Sequence, residues 1–257
     1  MRSYKTKAII IKQYEVGEAD RIIIAFSRDL GLITLSARGV RKILAKLKGH
    51  LELFNYSWLL IHKSSRGAID TIIGAETIHP FKKLRLSLAS TSRVYLISEF
   101  LNRILPEREK HESIFKLLLY VLKEIENEKQ RERRLIISSY FLLKAIKELG
   151  YAPHFRECIR CQLDLKQGGN YFDPEGGGTV CPDCSVVSNR ESQTGLQFIS
   201  DKALIGLRLL NENRGIRLLK IKTEKKNLEE ISSLIESYVE YILEAEFKSK
   251  NFIKQVD

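Results

Sequence analysis

Along the first eighty residues the apolar positions fall into short runs separated by turn residues, the pattern of a β domain. Residues 4–14 carry Ala8-Ile9-Ile10-Ile11 and end in the loop Glu15-Val16-Gly17-Glu18-Ala19-Asp20. An Ile-rich run over 21–27 and a second over 32–37 flank the turn Arg28-Asp29-Leu30-Gly31. A polar, cationic segment then fills residues 38–49. Two further runs follow, 51–62 with the only tryptophan, Trp58, and 69–79, joined through Lys63-Ser64-Ser65-Arg66-Gly67. Five short strands, with the longest connection between the third and the fourth, predict a small OB-type barrel. An SH3-like barrel or half a sandwich fits the same count.

At Pro80 the period changes from two to about 3.6. Residues 81–105 place Leu84, Leu88, Val94, Tyr95, Ile97, Phe100, Leu101 and Ile104 at helical spacing and stop before Pro106. A second helix is predicted over 112–128. A third runs over 135–149 after the polar run 127–134, with Gly150 as its C-terminal cap. Ser200 begins a helix over about 201–211, and Asn227 with Glu230 forms a capping-box start for a last helix over 228–247. The stripe Ile231, Leu234, Ile235, Tyr238, Val239, Ile242 and Leu243 on that helix reads as core. The predicted class is α+β multidomain, with a barrel in residues 1–80 and an α-helical domain in 81–257, interrupted by an insert at about 155–190.

The insert holds every cysteine of the chain, in two C-x-x-C pairs: Cys158-Ile159-Arg160-Cys161 and Cys181-Pro182-Asp183-Cys184, with nineteen residues between them. Each pair has the spacing that brings two thiolates to one ion, and four sulfurs close a tetrahedral site. Gly168-Gly169 and Gly176-Gly177-Gly178 let the intervening chain turn back around a short strand at Asn170-Tyr171-Phe172. The reading is a four-cysteine zinc ribbon (Cys158, Cys161, Cys181, Cys184) holding one structural Zn²⁺. A redox dithiol is the alternative, but neither pair follows a buried strand and opens a long helix. With four thiolates bound, no position is open for a catalytic water. His154 lies close enough in sequence to replace a ligand; a solvated or capping role suits it better.

The net charge of +11 is unevenly placed. Residues 1–80 and 81–150 each carry +6, residues 151–200 carry −2 and residues 201–257 carry +1. An excess of that kind in the first 150 residues suits a polyanionic partner, although cations also serve solubility. No run of eighteen apolar residues is present, so no membrane span is expected. The start Met1-Arg2-Ser3-Tyr4-Lys5 runs into a strand pattern without an apolar signal core, which predicts a cytoplasmic protein.

The cationic stretch of residues 38–48 holds five cations in eleven residues, Arg38, Arg41, Lys42, Lys46 and Lys48, with no carboxylate. In an OB-type barrel this connection lies beside the oligonucleotide face, so these five are the candidate DNA contacts. Tyr14, Phe54, Tyr56 and Trp58 are candidates for base stacking. The competing reading makes the segment a short solvated helix whose Ile43, Leu44 and Leu47 plug the barrel bottom, with Trp58 and Phe54 in the core. No phosphate loop of the G-x-x-x-x-G-K-[ST] type exists. Glu18 and Asp20 are too few for a two-metal nuclease and read as loop braces. No catalytic residue, small-molecule substrate or further cofactor is expected.

Beyond these patterns, the chain resembles the RecO family of bacterial recombination mediators over essentially its whole length. The resemblance is carried by Gly17-Glu18-Ala19-Asp20-Arg21, by Leu35-Ser36-Ala37-Arg38-Gly39-Val40-Arg41 and by Gly150-Tyr151-Ala152-Pro153 leading into the first cysteine pair. Gly177-Gly178-Thr179-Val180 before the second pair and Phe247-Lys248-Ser249-Lys250-Asn251-Phe252-Ile253 complete it. Where the family commonly has a Ser-containing basic stretch, this chain has Ile43-Leu44-Ala45. The resemblance implies an N-terminal OB-fold, a helical C-terminal domain and a zinc ribbon that some members have lost. It also implies a non-enzymatic activity: binding single- and double-stranded DNA, annealing complementary strands, and acting with RecR to help load RecA on SSB-coated strands. The alternative from another class is a zinc-ribbon scaffold that binds proteins and touches DNA only incidentally.

Overall fold

The computed structural model describes residues 3–43, 45–64, 69–186, 195–214 and 224–250. Leu44, the turn at Ser65-Arg66-Gly67 and the segment Asn251-Phe252-Ile253 lie outside them. By internal packing the chain divides into two compact units, residues 1–127 with 248–257, and residues 128–247.

The first unit is built on five strands, β1 (Ser3–Val16), β2 (Asp20–Ser27), β3 (Gly31–Ala37), β4 (Tyr56–His62) and β5 (Asp70–His79). They close a barrel in the order β1-β2-β3-β5-β4, with β3 and β5 parallel and the other pairs antiparallel. This closure is that of the OB-fold, which settles the choice among the three barrel readings. A single β1 serves both neighbours because a register shift between Ile10 and Lys12 bends it from β4 toward β2. Ala8, Ile10, Ile23, Ala25, Ile33, Leu35, Leu59, Ile61 and Ile72 fill the interior.

The plug at the barrel bottom differs from expectation. Ile43 is 97% exposed, whereas Leu47 packs partly on the core. Val40 and Leu51 do the filling, both buried in the same cluster. Residues 51–55 are not strand: Phe54 takes a left-handed φ of 68°, which breaks any ladder there. Residues 48–50 form one 3₁₀ turn.

Beyond Pro80 the expected single helix is two, α1 (Lys82–Leu86) and α2 (Leu88–Ile104). Ser87 separates them. It is extended, and its hydroxyl accepts the Ser90 amide, so its preference for capping overrides the apolar period. Helix α3 (Glu112–Asn127) follows as expected and lays Phe115 against Phe26 and Tyr56, at ring separations of 5.6 and 6.0 Å. Arg85 stitches the helices to the barrel by donating to Leu53 O, Asn55 Oδ1 and Pro80 O at 2.7, 3.0 and 2.8 Å. Asp70, buried at the start of β5, accepts from the Tyr4 hydroxyl, the Arg108 guanidinium and the Ser64 amide, each at 2.9 Å. The chain also returns to this unit near its end, where the Lys248 and Ser249 amides both donate to Glu99 at 2.9 Å.

The second unit contains α4 (Arg131–Glu148), β6 (Asn170–Asp173), β7 (Gly178–Val180), α5 (Pro182–Val186), β8 (Gln197–Ile199), α6 (Asp201–Leu209) and α7 (Lys225–Ile242). Helices α4 and α6 pack on α7, and the strands form a small sheet in the order β7-β6-β8. Gly150 caps α4 at φ 92°, with its amide on Lys147 O and that of Tyr151 on Ile146 O, a Schellman closure. Helix α4 starts four residues earlier than expected, absorbing part of the polar run. Ser200 caps α6 through the Ala203 amide, as expected. Asn227 is not the cap expected of it: it is buried in the first turn of α7, whose N-cap is Glu224. Glu230 instead accepts the amide and the hydroxyl of Ser200, at 2.6 and 2.7 Å.

Candidate metal centre and nucleic-acid face

The two C-x-x-C pairs meet. The sulfurs of Cys158, Cys161, Cys181 and Cys184 all lie within 4.8 Å of one another. Cys161 and Cys181 are 3.8 Å apart, the separation that a tetrahedral ion about 2.3 Å from each sulfur requires. The first pair sits on a turn closed by Gln162 N on Cys158 O, and the second opens α5, whose first turn closes with Ser185 N on Cys181 O. Arg160, inside the first pair, donates to Cys184 O at 2.9 Å and pairs with Asp173 of β6 at 3.2 Å, so one side chain ties both pairs to the sheet. The glycine run answers a steric need. A Cβ on Gly178 would stand 2.3 Å from Ile159, and β7 would be pushed off the first pair. Phe172 faces Phe155 on one side and Tyr238 of α7 on the other, at 5.9 and 5.2 Å, which roots the ribbon in the helices.

The electrostatics of this cluster ask for a cation. Burial opposes ionisation of Cys158, yet the amides of Cys161, Cys181 and Arg160 hold its thiol down at about 6. Hydrogen bonding to Cys181 and Cys161 pushes Cys184 up to about 12, and burial raises Cys181. Four sulfurs this close carry their charge together only around a metal ion, which deprotonates its thiol ligands outright. The four cysteines are therefore placed to hold a metal, and their donor set suits a tetrahedral thiophilic ion. Among the described residues no other group joins the cluster. The His154 side chain is exposed, and its backbone pairs with Gly177 and Thr179.

The cationic segment is divided by the structure. Arg41 is a brace: it pairs with Glu15 at 3.2 Å and donates to Gly17 O at 3.0 Å, while its amide bonds Ala19 O at 2.9 Å. Asp20 accepts the Gly39 amide at 2.7 Å, the bracing role expected of it. These bonds strap residues 39–41 to the loop between β1 and β2. Arg38, Lys42, Lys46 and Lys48 are exposed, and among the described residues no carboxylate lies in ion-pair reach of them. Sequence reasoning misses the part played by Glu15; a carboxylate in the β1–β2 loop region opposite a run of cations is the available signal. The four aromatics separate as well. Phe54 is buried against Tyr95 and Tyr56 packs on Phe115, whereas Tyr14 and Trp58 are 44% and 40% exposed.

A closed OB barrel followed by helices, with a four-cysteine cluster able to hold a metal ion in the second unit, defines the class of protein. Two family models cover nearly all of it: one described as Recombination protein O N terminal matches residues 1–81, and Recombination protein O C terminal matches residues 85–251. The chain belongs to the RecO family. It is 38% identical over 246 residues to a DNA repair protein RecO of Dehalococcoides mccartyi, covering 96% of this chain and 93% of that protein. It is 30% identical over 256 residues to one of Pelotomaculum thermopropionicum, covering 98% and 94%, and 29% identical over 255 residues to one of Roseiflexus, covering 99% and 86%.

Proposed function

We propose that this protein works in DNA repair as a non-enzymatic recombination mediator. It binds single- and double-stranded DNA, anneals complementary strands and, with RecR, helps load RecA on SSB-coated single strands. The observation that carries the reading is the set of exposed cations Arg38, Lys42, Lys46 and Lys48, free of carboxylates among the described residues, on a segment strapped to the β1–β2 loop of an OB barrel. Single-strand binders combine such a cationic edge with an aromatic on the adjoining barrel face. Residues 1–80 act as the DNA-binding domain and 81–257 as the helical domain carrying the ribbon at about 155–190. The ion is a structural Zn²⁺, one per chain. The place of action is the cytoplasm, at the nucleoid, where the DNA lies. No helix among the described residues is long and apolar enough to cross a membrane.

The decisive experiment is strand annealing on SSB-coated complementary oligonucleotides, without ATP or Mg²⁺. Acceleration over SSB alone is the expected result. A protein that binds RecR and SSB yet leaves annealing unchanged would favour the scaffold reading. ATP or DNA turnover that co-purifies with the protein and dies with Glu18→Ala would overturn the non-enzymatic one.

A further inference from the structure

The outer face of the barrel between β1 and β3 is half covered and half open. Side chains alternate along each strand, and Ile23 and Leu35 point into the core. Their neighbours Ile22 and Ser36 therefore point outward, in one cross-strand row with Tyr14. One end of this face is closed, for Phe26 is fully buried beneath Phe115 of α3. At the other end Tyr14 is 44% exposed and Val16 46% exposed, with Ile22 and Ser36 half-buried beside them. The result is a small apolar platform carrying one flat ring. Arg38 follows β3 immediately beyond Ser36 and Ala37, and the loop at the platform's edge is the one that Arg41 and Asp20 hold in place.

The charge around the ring selects its occupant. Lys12 holds its ammonium 4.7 Å from the Tyr14 ring centroid. Glu15, the nearest carboxylate in sequence, is taken up by Arg41 and Arg21. Trp58, the exposed aromatic of β4, has a different setting: its cross-strand neighbours are Lys7, over its ring at 4.7 Å, and the exposed carboxylate of Glu76. A phosphate backbone meets an unopposed cation at the first ring, whereas at the second the cation Lys7 is offset by Glu76.

We infer that Tyr14 is the residue on which a base of single-stranded nucleic acid stacks, with Lys12 turning from the ring to the adjoining phosphate. An exposed cation–π contact is weak enough to yield to a base. The inference rests on the DNA-binding reading above and names the part of the barrel that separates single strands from duplex, because only an unpaired base offers its face to a ring.

The test uses the full-length chain. Trp58 is the only tryptophan, so Tyr14→Trp in a Trp58→Phe background places a single fluorophore on the platform. Adding oligo(dT) should quench it strongly, while a blunt duplex, and oligo(dT) added to the unsubstituted protein with Trp58 as reporter, should change emission little. Tyr14→Ala should weaken oligo(dT) binding by between about five- and 150-fold, Tyr14→Phe should keep it, and duplex binding should hold in both. Oligo(dT) binding by anisotropy without quenching of the introduced indole, or an equal loss of single-strand and duplex affinity in Tyr14→Ala, would overturn the stacking inference and leave the DNA-binding reading standing. Absence of any binding by the folded protein would remove both.

Discussion

Asp70 is the most consequential buried charge of the barrel, and its environment has a measurable signature. Burial disfavours its charged form, but Arg108, the Ser64 amide and Tyr4 outweigh that and hold its carboxyl below the ordinary range. A depressed carboxylate contributes stability above the unfolded-state value near 4, and loses it as pH falls through the folded-state value. Asp70→Asn should thus cost about 2 kcal/mol near neutrality, since an amide serves three donors poorly. It should also flatten the decline of stability below pH about 4; thermal unfolding across the acid range reads both. Equal acid sensitivity of the two proteins would refute the assignment. Such a residue is not legible in the sequence, because Arg108 and Tyr4 reach it from distant stretches of chain. The same holds for the aromatics. Tyr14, Phe54, Tyr56 and Trp58 look alike as letters, and only strand register and the placement of α3 separate the buried rings from the open ones.

At the scale of elements the sequence is legible where periodicity is strong and misleading where polar side chains have a choice of partner. The five strands, α3 and the cysteine pairs follow from spacing alone. Ser87 and Glu230 mislead because a hydroxyl or carboxylate that suits one role in sequence finds a better partner in space. The ribbon supplies its own test. Structural metal binding contributes folding free energy directly, so Cys181→Ser should lose the ion and open residues 151–200 to protease; metal analysis showing no zinc, with four freely reactive thiols, would exclude the site. For the cationic segment, each phosphate contact on a single strand adds roughly 0.7 to the slope of log affinity against log salt. Four contacts give a slope near 3, or about a fifty-fold loss between 50 and 200 mM salt. Changing Arg38, Lys42, Lys46 and Lys48 together to Ala should flatten that slope and impair annealing. Unfolding and metal content should hardly move, because exposed cations contribute little to stability. Arg41 is left out of the set, since its loss would release the β1–β2 loop as well.

For the whole molecule, the main fact is that the first unit draws on residues 1–127 and 248–257, and the cysteine-bearing second unit on the residues 128–247 between them. The change of period at Pro80 marks where strands give way to helices, but helical spacing carries no record of which core a helix joins. Nothing in it signals that α1, α2 and α3 stay with the barrel. Glu99 is where the ends meet: burial raises its carboxyl, and the amides of Ser249 and Lys248 more than reverse this. Glu99→Ala leaves those two amides without their acceptor and should cost about 1–3 kcal/mol in denaturant unfolding followed by Trp58 fluorescence. Metal content should stay at the wild-type level, and a variant as stable as wild type would show the clasp to be idle.

That clasp has a consequence for biosynthesis. Residues leave the ribosome in order, so the barrel and its three helices emerge while two backbone donors to Glu99 are still untranslated. A nascent chain cut short anywhere before residue 248 leaves Glu99 with its backbone donors missing, however well its strands have paired. Translation through residue 249 is in this way written into the stability of the barrel unit, and a product cut short before it should be the first to meet the cell's proteases.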